Sequence, residues 1–449
     1  MSGTPDPARA GTDAPARTSV PPPHRLLGAP ILPSIARLAA PGVVSAVFQT
    51  SVSIADTFFV GRLGTEALAG LALVFPMAML LQMTSSGAMG GGVASAIARN
   101  LGGGRHDAAR LLVVQALAIA VTLGCLFTLV MLGGGSGLYA LLGGRGAVLV
   151  WLANTFAAML RGSGNTLLPS VALSVGSLVH VPLSGALTLG WGPFPQLGIR
   201  GAAFAYLGGF GVSAVLMALI LSRGALRPRA GDWRLQWSSL RDILRVGAVS
   251  SLSSIQNVAA SVLLTGFVGA YGAASLAGYG VGVRMELLQF PVLFAIGQAL
   301  LASVGVHVGA GQGERAKRIA WTGVALAMAV SATLGLSAAL FPGAWMRVFS
   351  EDPAVIEAGS AYLRIVGPFY PLMAVGMVLY FASQGAGRVV APVLAGTARL
   401  LVVIVGGVLV TALSGPPAGL FAVVALGFVT HGLLTAWAVR RTPWGAPRV

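Results

Sequence analysis

The sequence predicts an all-α polytopic membrane protein with twelve transmembrane helices in two pseudo-symmetric six-helix lobes. Three observations predict it: composition, the spacing of apolar runs, and an internal repeat. The chain has 449 residues, 56% hydrophobic and 9% charged, with a mean hydropathy of +0.85. A soluble domain carries about 25% charged residues, so these few charges could not cover a water-exposed surface. Apolar runs separated by polar or glycine-rich breaks fall at 33–60, 67–97, 108–132, 146–161, 167–190, 200–222, 242–270, 275–306, 316–341, 354–384, 390–413 and 417–439. An α-helix needs about 20 residues to cross the hydrocarbon core. These runs are long, rich in Ala, Leu and Gly, and lack the two-residue alternation of a barrel strand.

Residues 1–30 are rich in Pro, Ala, Gly and Arg and read as a disordered tail, not a cleavable targeting segment. The single cysteine, Cys125, lies in an apolar run. It has no intrachain disulfide partner, and Cys/His metal spacing is absent. Neither a metal nor a cofactor is expected.

The formal charge of +16 first suggests nucleic acid, but the positions of the cations explain it otherwise. With the N-terminus in the cytoplasm and the spans alternating, 20 of the 28 Lys and Arg residues fall in inner tails and loops. Four (Arg62, Arg145, Arg200, Arg347) fall outside, and Arg37, Arg284, Arg364 and Arg399 lie within or beside helices. This positive-inside bias places both termini in the cytoplasm. It gives a disordered tail (1–30), an N-lobe (31–222), a basic linker (223–241), a C-lobe (242–439) and a short tail (440–449).

The halves match one another. The run from Val60 to Gly70 matches Val268 to Gly278 at an offset of 208, and Leu101–Ala108 matches Val308–Arg315 at 207. Farther on, Arg161-Gly162-Ser163-Gly164 with Pro169 matches Gln384-Gly385-Ala386-Gly387 with Pro392 at 223. Repeats of six helices are parallel, related by an axis along the membrane normal, with a transport site expected between them. The change of offset means that the first half lacks about 16 residues before Arg161. The fourth run, from Gly146 to Arg161, then spans about 24 Å at 1.5 Å per residue. Either it borrows Leu141–Gly144 and thins the bilayer locally, or the chain carries an internal deletion.

Asp56-Thr57-Phe58-Phe59-Val60-Gly61-Arg62-Leu63-Gly64-Thr65-Glu66-Ala67-Leu68-Ala69 resembles the first-helix signature of multidrug and toxic-compound extrusion (MATE) transporters. Arg161 to Thr166, Leu197 to Ala203, and Ile296-Gly297-Gln298-Ala299 with Val308-Gly309-Ala310-Gly311 resemble three later motifs of that family, in order. The resemblance covers residues from about 30 to 445. It implies two lobes flanking a central cavity, and efflux of organic, often cationic compounds against an inward proton or sodium gradient, without a cofactor.

Asp56 lies well inside the first span, where a lone charge costs at least ~2.5–3.5 kcal/mol, so it should face protein or water. Ser45, Gln49 and Ser53 share its helix face. The alternative is an acid that caps the outer turn or pairs with Arg62. The family commonly places Asn and, four residues on, Asp in the fifth helix; this chain has His180 and Ser184 there, with Pro182 between. Losing the second acid favours proton over sodium coupling, because imidazole titrates near pH 6.5 in water. His180 could instead pack between helices. Asn154 matches a family asparagine and could reach Asp56, or serve as interhelical glue.

In the second half, 242–270 carries Gln256 and Asn257 but no acid past Asp242 at its start. Glu286 either pairs with Arg284 or faces the cavity to meet a cationic substrate. Gln82, Met83, Tyr370 and Met373 are further cavity candidates, since adaptable sulfur and aromatic surface suits promiscuous binding; ordinary packing is the competing reading.

These residues point to a proton-coupled exporter of small, cationic or amphipathic compounds: a multi-pass plasma (inner) membrane protein, monomeric, with no nucleic-acid partner. A lipid-linked sugar flippase of the same superfamily would want an arginine-lined cavity. A membrane-embedded enzyme would want clustered His, Asp and Glu at one face. The gap in the fourth helix also admits a degenerate, non-transporting paralogue.

Overall fold

A computed structural model describes residues 27–134 and 146–445. Its spans are Ile31–Gly61 (first), Thr65–Gln82 continuing through Met83–Met89 into Gly90–Gly102 (second), His106–Gly134 (third), Ala147–Gly162 (fourth), Leu167–Leu189 (fifth) and Ile199–Arg223 (sixth). The second half follows with Trp237–Gly269 (seventh), Ala273–Gly309 (eighth), Gly313–Leu340 (ninth), Pro353–Gly385 (tenth), Val390–Ala412 (eleventh) and Pro417–Arg441 (twelfth). Ten of these helices are individually long and apolar enough to cross a membrane. The two exceptions are the second, which passes through a seven-residue π turn, and the fourth, which has 16 residues. Most of the tail lies outside the described residues, as do Leu141–Gly144.

The repeat is visible in contacts. Gly102 of the second span presses on the carbonyl of Val306, and Gly309 of the eighth presses on the carbonyl of Arg99. Both pairs are related by 207 residues, so this crossing is its own symmetry mate. Only glycine lets two backbones approach this closely. Gly162 likewise lies on the backbone of Ala94, and Gly385 on that of Leu301. Here the glycines differ by 223 and their partners by 207, which places the missing residues between Gly102 and Gly162.

What is missing can be located more closely. The fourth span, Ala147–Gly162, and the last part of the tenth, Tyr370–Gly385, each have 16 residues and align at the offset of 223. In the tenth span that part is preceded by Pro353–Val366 and a single 3-10 turn, Gly367–Phe369. By that alignment, Ala147–Gly162 corresponds to the part of the tenth span that follows the 3-10 turn, and the residues without a counterpart in the first half are those around Pro353–Val366. This half-helix packs on the second, third and sixth spans, with Val150, Trp151, Asn154, Ala157 and Met159 buried. Protein rather than lipid covers most of its surface.

Every hydrogen bond across the two halves lies at or toward the basic end, among the described residues. Ser95 donates to the carbonyls of Gln384 and Gly385 (3.2 Å to the latter), and Arg99 pairs with Asp242 at 2.8 Å. The Gln384 amide donates across the halves to the Gly87 carbonyl at 3.0 Å and, within its own half, to Ser250 Oγ at 2.9 Å. The linker is fastened there too. Asp232 meets Arg110, and Gln115 of the third span donates to the Arg234 carbonyl at 2.7 Å. The backbone N–H of Arg229, followed by the Arg110 side chain, holds the Asp232 carboxyl below the usual carboxylate range. The seventh helix begins at Trp237, inside the stretch that the sequence assigns to the linker.

Gly309→Val should overpack the central crossing by about 1–3 kcal/mol and lower the thermal unfolding midpoint in detergent. Gly266→Val, where a Cβ meets nothing within 4 Å, should leave the midpoint unchanged.

Candidate functional site

Asp56 stands one and a half turns before the end of the first span, with its side chain 17% exposed. His180 and Ser184 approach it from one face of the fifth span, four residues and about one turn apart. His180 Nε2 lies 2.9 Å and 3.0 Å from the two carboxylate oxygens, and Ser184 Oγ donates to Oδ1 at 2.6 Å. Both partners are buried. The imidazole stands edge-on to Tyr206 of the sixth span, with ring centroids 6.1 Å apart. The helix runs unbroken through Pro182. A carboxylate, an imidazole and a hydroxyl thus form one cluster in contact, reachable from one side. The alternative partner, Arg62, sits over the Phe58 ring instead.

Two other residues expected near the acid have different partners. Gln49 bonds to Ser45, one turn farther back on its own helix, with Nε2 3.3 Å from Ser45 Oγ. Asn154 does not bond to Asp56. Its amide donates to Ser85 Oγ at 2.8 Å and to Gln82 Oε1 at 3.1 Å. Ser85 lies in the π turn Met83–Met89, and Gln82 immediately precedes it. Wider turns of this kind displace side chains from their α-helical positions, and here Ser85 and Gln82 present polar groups toward the fourth span. Asn154 ties the short fourth span to this turn. Met83 lies in the same turn, half-buried.

The MatE family model matches residues 41–151 and 250–409. The chain belongs to the MatE family. Among curated relatives, a Shewanella oneidensis protein named "FAD transporter" is 29% identical over 384 residues, 80% of this chain and 83% of that one. A Thermotoga maritima "Probable multidrug resistance protein NorM" is 27% identical, covering 80% of this chain and 81% of its own length. Among solved structures, an outward-facing MATE transporter of the MOP superfamily superposes with a TM-score of 0.84 at 24% identity, covering 93% of this chain and 96% of that one. A MOP superfamily transporter from Pyrococcus furiosus gives 0.85 at 23% identity, covering 93% and 96%. The match confirms the twelve-helix fold. Membership in a transporter family sets aside a membrane-embedded enzyme.

In the second lobe of this MatE protein the acid position is apolar. At the matching offsets, Leu264, Val403 and Gly407 stand for Asp56, His180 and Ser184; Leu264 and Val403 are buried core and Phe267 fills the space beside Gly407. Glu286 lies elsewhere. It accepts a hydrogen bond from the Tyr362 hydroxyl, while Arg284 stacks on Phe349, so these neighbours do not pair. Gln256 is buried and donates to Thr397 Oγ1 at 2.7 Å; Asn257 is exposed and accepts from Arg399 at 2.9 Å. Tyr370 is fully buried in the core, and Met373 packs against it.

Sequence reasoning passed over Arg399, Tyr362 and the latch residues Arg99, Asp242 and Gln384. The available signals were Arg399 in the middle of an apolar span and Gln384 at the position matching Arg161. Asn154→Ala should strand the Gln82 carbonyl oxygen and remove a partner of Ser85. The expected cost is about 1–3 kcal/mol, read as a lower thermal midpoint, with the pH dependence of transport unchanged.

Proposed function

We propose that this MatE protein is a secondary active exporter of small organic compounds, cationic or amphipathic, exchanged for protons by alternating access. It works in the plasma (inner) membrane as a monomer, with the basic end and both termini cytoplasmic, and it uses a proton gradient and no cofactor. The observation that carries the reading is the Asp56–His180–Ser184 cluster.

A hard cation takes several oxygen ligands and prefers more than one carboxylate. This cluster offers one carboxylate and one hydroxyl, with a nitrogen in the remaining contact. Among the described residues, no three His, Cys, Asp or Glu gather to hold a metal ion. A proton needs no such cage. With Asp56 ionised, the carboxylate accepts from His180 and Ser184 and ties the first span to the fifth. A proton on Asp56 weakens both bonds and frees the first span to shift. Substrate and proton then oppose each other through one carboxylate, which is sufficient for antiport by linkage.

The latch at the basic end supports the other half of the cycle. With that end cytoplasmic, Arg99–Asp242, Ser95 and Gln384 close the inner side. Return to the inward-facing state must break them while the glycine crossing slides.

The experiment is efflux of ethidium from proteoliposomes under an imposed pH gradient or an imposed sodium gradient. Wild type should export with the pH gradient alone, and Asp56→Asn should abolish it. His180→Gln keeps a hydrogen-bond donor to Asp56 but carries no basic ring nitrogen, and should lower the rate of efflux driven by the pH gradient. Undiminished efflux by Asp56→Asn, or export driven only by sodium, overturns the proposal.

A further inference from the structure

Arg399 lies at mid-length in the eleventh span, where an uncompensated charge costs at least ~2.5–3.5 kcal/mol. The second lobe compensates it only in part. The guanidinium makes one hydrogen bond, to Asn257 Oδ1 at 2.9 Å, and stacks on Phe428 of the twelfth span, 5.1 Å from the ring centroid. Glu286 is within electrostatic reach, but among the described residues no ion pair joins the two. The Glu286 carboxylate is engaged by the Tyr362 hydroxyl. Among the described residues, no other hydrogen bond from the guanidinium fork to a protein acceptor is found.

A second observation lies beside it. Tyr370 shares the Phe428 ring with Arg399, centroids 6.4 Å apart, and its hydroxyl is buried with no hydrogen-bond partner. Gln289, one turn from Glu286 on the eighth span, is fully buried with both amide atoms unpartnered. A buried polar atom without a protein partner carries a desolvation cost, which a ligand, ion or water can relieve. The Arg399–Asn257 bond is not enclosed by protein: Asn257 is exposed and Arg399 half-buried. The first lobe has Gly176 at the position matching Arg399, so the cation belongs to the second lobe alone.

We propose that Arg399, held by Asn257 and Phe428, receives an oxyanion, a carboxylate or a phosphate, carried by the substrate. The planar fork matches such a group bidentately, as a point charge would not. The cargo of this protein then includes zwitterions and amphipathic anions besides cations, their negative end directed into the second lobe. The inference rests on the transport reading of the protein, but not on which ion drives it.

The test is equilibrium binding to the purified full-length chain in detergent, using one fluorophore in three charge forms: dansylglycine (anion), dansylglycinamide (neutral) and dansylcadaverine (cation). Wild type should bind dansylglycine at least about tenfold more tightly than dansylglycinamide, about the value of one good charge-assisted bond. Arg399→Gln should reduce that ratio to about one, while Arg399→Lys keeps an intermediate preference because it retains charge without the fork. Asn257→Ala should narrow the ratio and provides the reading if Arg399→Gln does not fold. Benzoate and phenyl phosphate as competitors distinguish the two oxyanions. Equal binding of the amide and the acid by wild type, or an unchanged preference in Arg399→Gln, overturns the proposal. Export of dansylcadaverine under a pH gradient by wild type and Asp56→Asn reads the proton-coupling claim separately, and its failure leaves the binding ratio to decide the Arg399 claim.

Discussion

A charge inside a membrane helix must find a partner within the protein, and the polar architecture of this chain follows from that constraint. The low dielectric makes an isolated ion costly and makes a short hydrogen bond to it strong. Asp56 is met by His180 and Ser184, and Glu286 by Tyr362. The arginines use aromatic faces: Arg284 on Phe349, Arg399 on Phe428, Arg62 on Phe58 at a helix end. The compensation differs in kind. Around Asp56 it comes from groups that can themselves give up or share a proton. Around Arg399 it is incomplete, and a substrate group can complete it.

The skeleton is symmetric and the chemistry is not. Paired glycine contacts repeat across the halves at fixed offsets, because backbone approach depends only on the absence of a side chain. The functional side chains do not repeat. Leu264 and Val403 convert the second-lobe counterpart of the Asp56 site into core. The glycines give the two lobes matched backbone contacts, while the carboxylate–imidazole–hydroxyl cluster occurs in the first lobe and the matching second-lobe positions are apolar.

The fourth span illustrates how a large change is accommodated. Its 16 residues match the half of the tenth span that follows a 3-10 turn. Gly162 seats this half-helix against the second span, and Asn154 pins it to Ser85. The half-helix is largely buried against its neighbouring spans. The retained half adjoins the latch at the basic end; the absent half corresponds to the segment that carries Tyr362 in the second lobe.

The sequence by itself determined the fold class, the twelve spans and the repeat, because these depend on hydropathy and spacing, which are local and periodic. The grouping of Asp56 with His180 and Ser184 came from the resemblance to MATE transporters, which puts those fifth-helix positions near the first-helix acid; helix periodicity adds that His180 and Ser184 share one face. Tertiary structure decided what depends on direction. Asn154 turns to Ser85, which lies in a π turn invisible to an α-helical wheel, and to Gln82, which immediately precedes it. Glu286 turns to Tyr362 and not to Arg284 two residues away, because side chains two apart on a helix point to different sides. Arg399 became a site only when the seventh and twelfth spans placed Asn257 and Phe428 on either side of it. Charge and periodicity are written along the chain, whereas the partner of each buried polar group is fixed by which helices pack together and at what rotation.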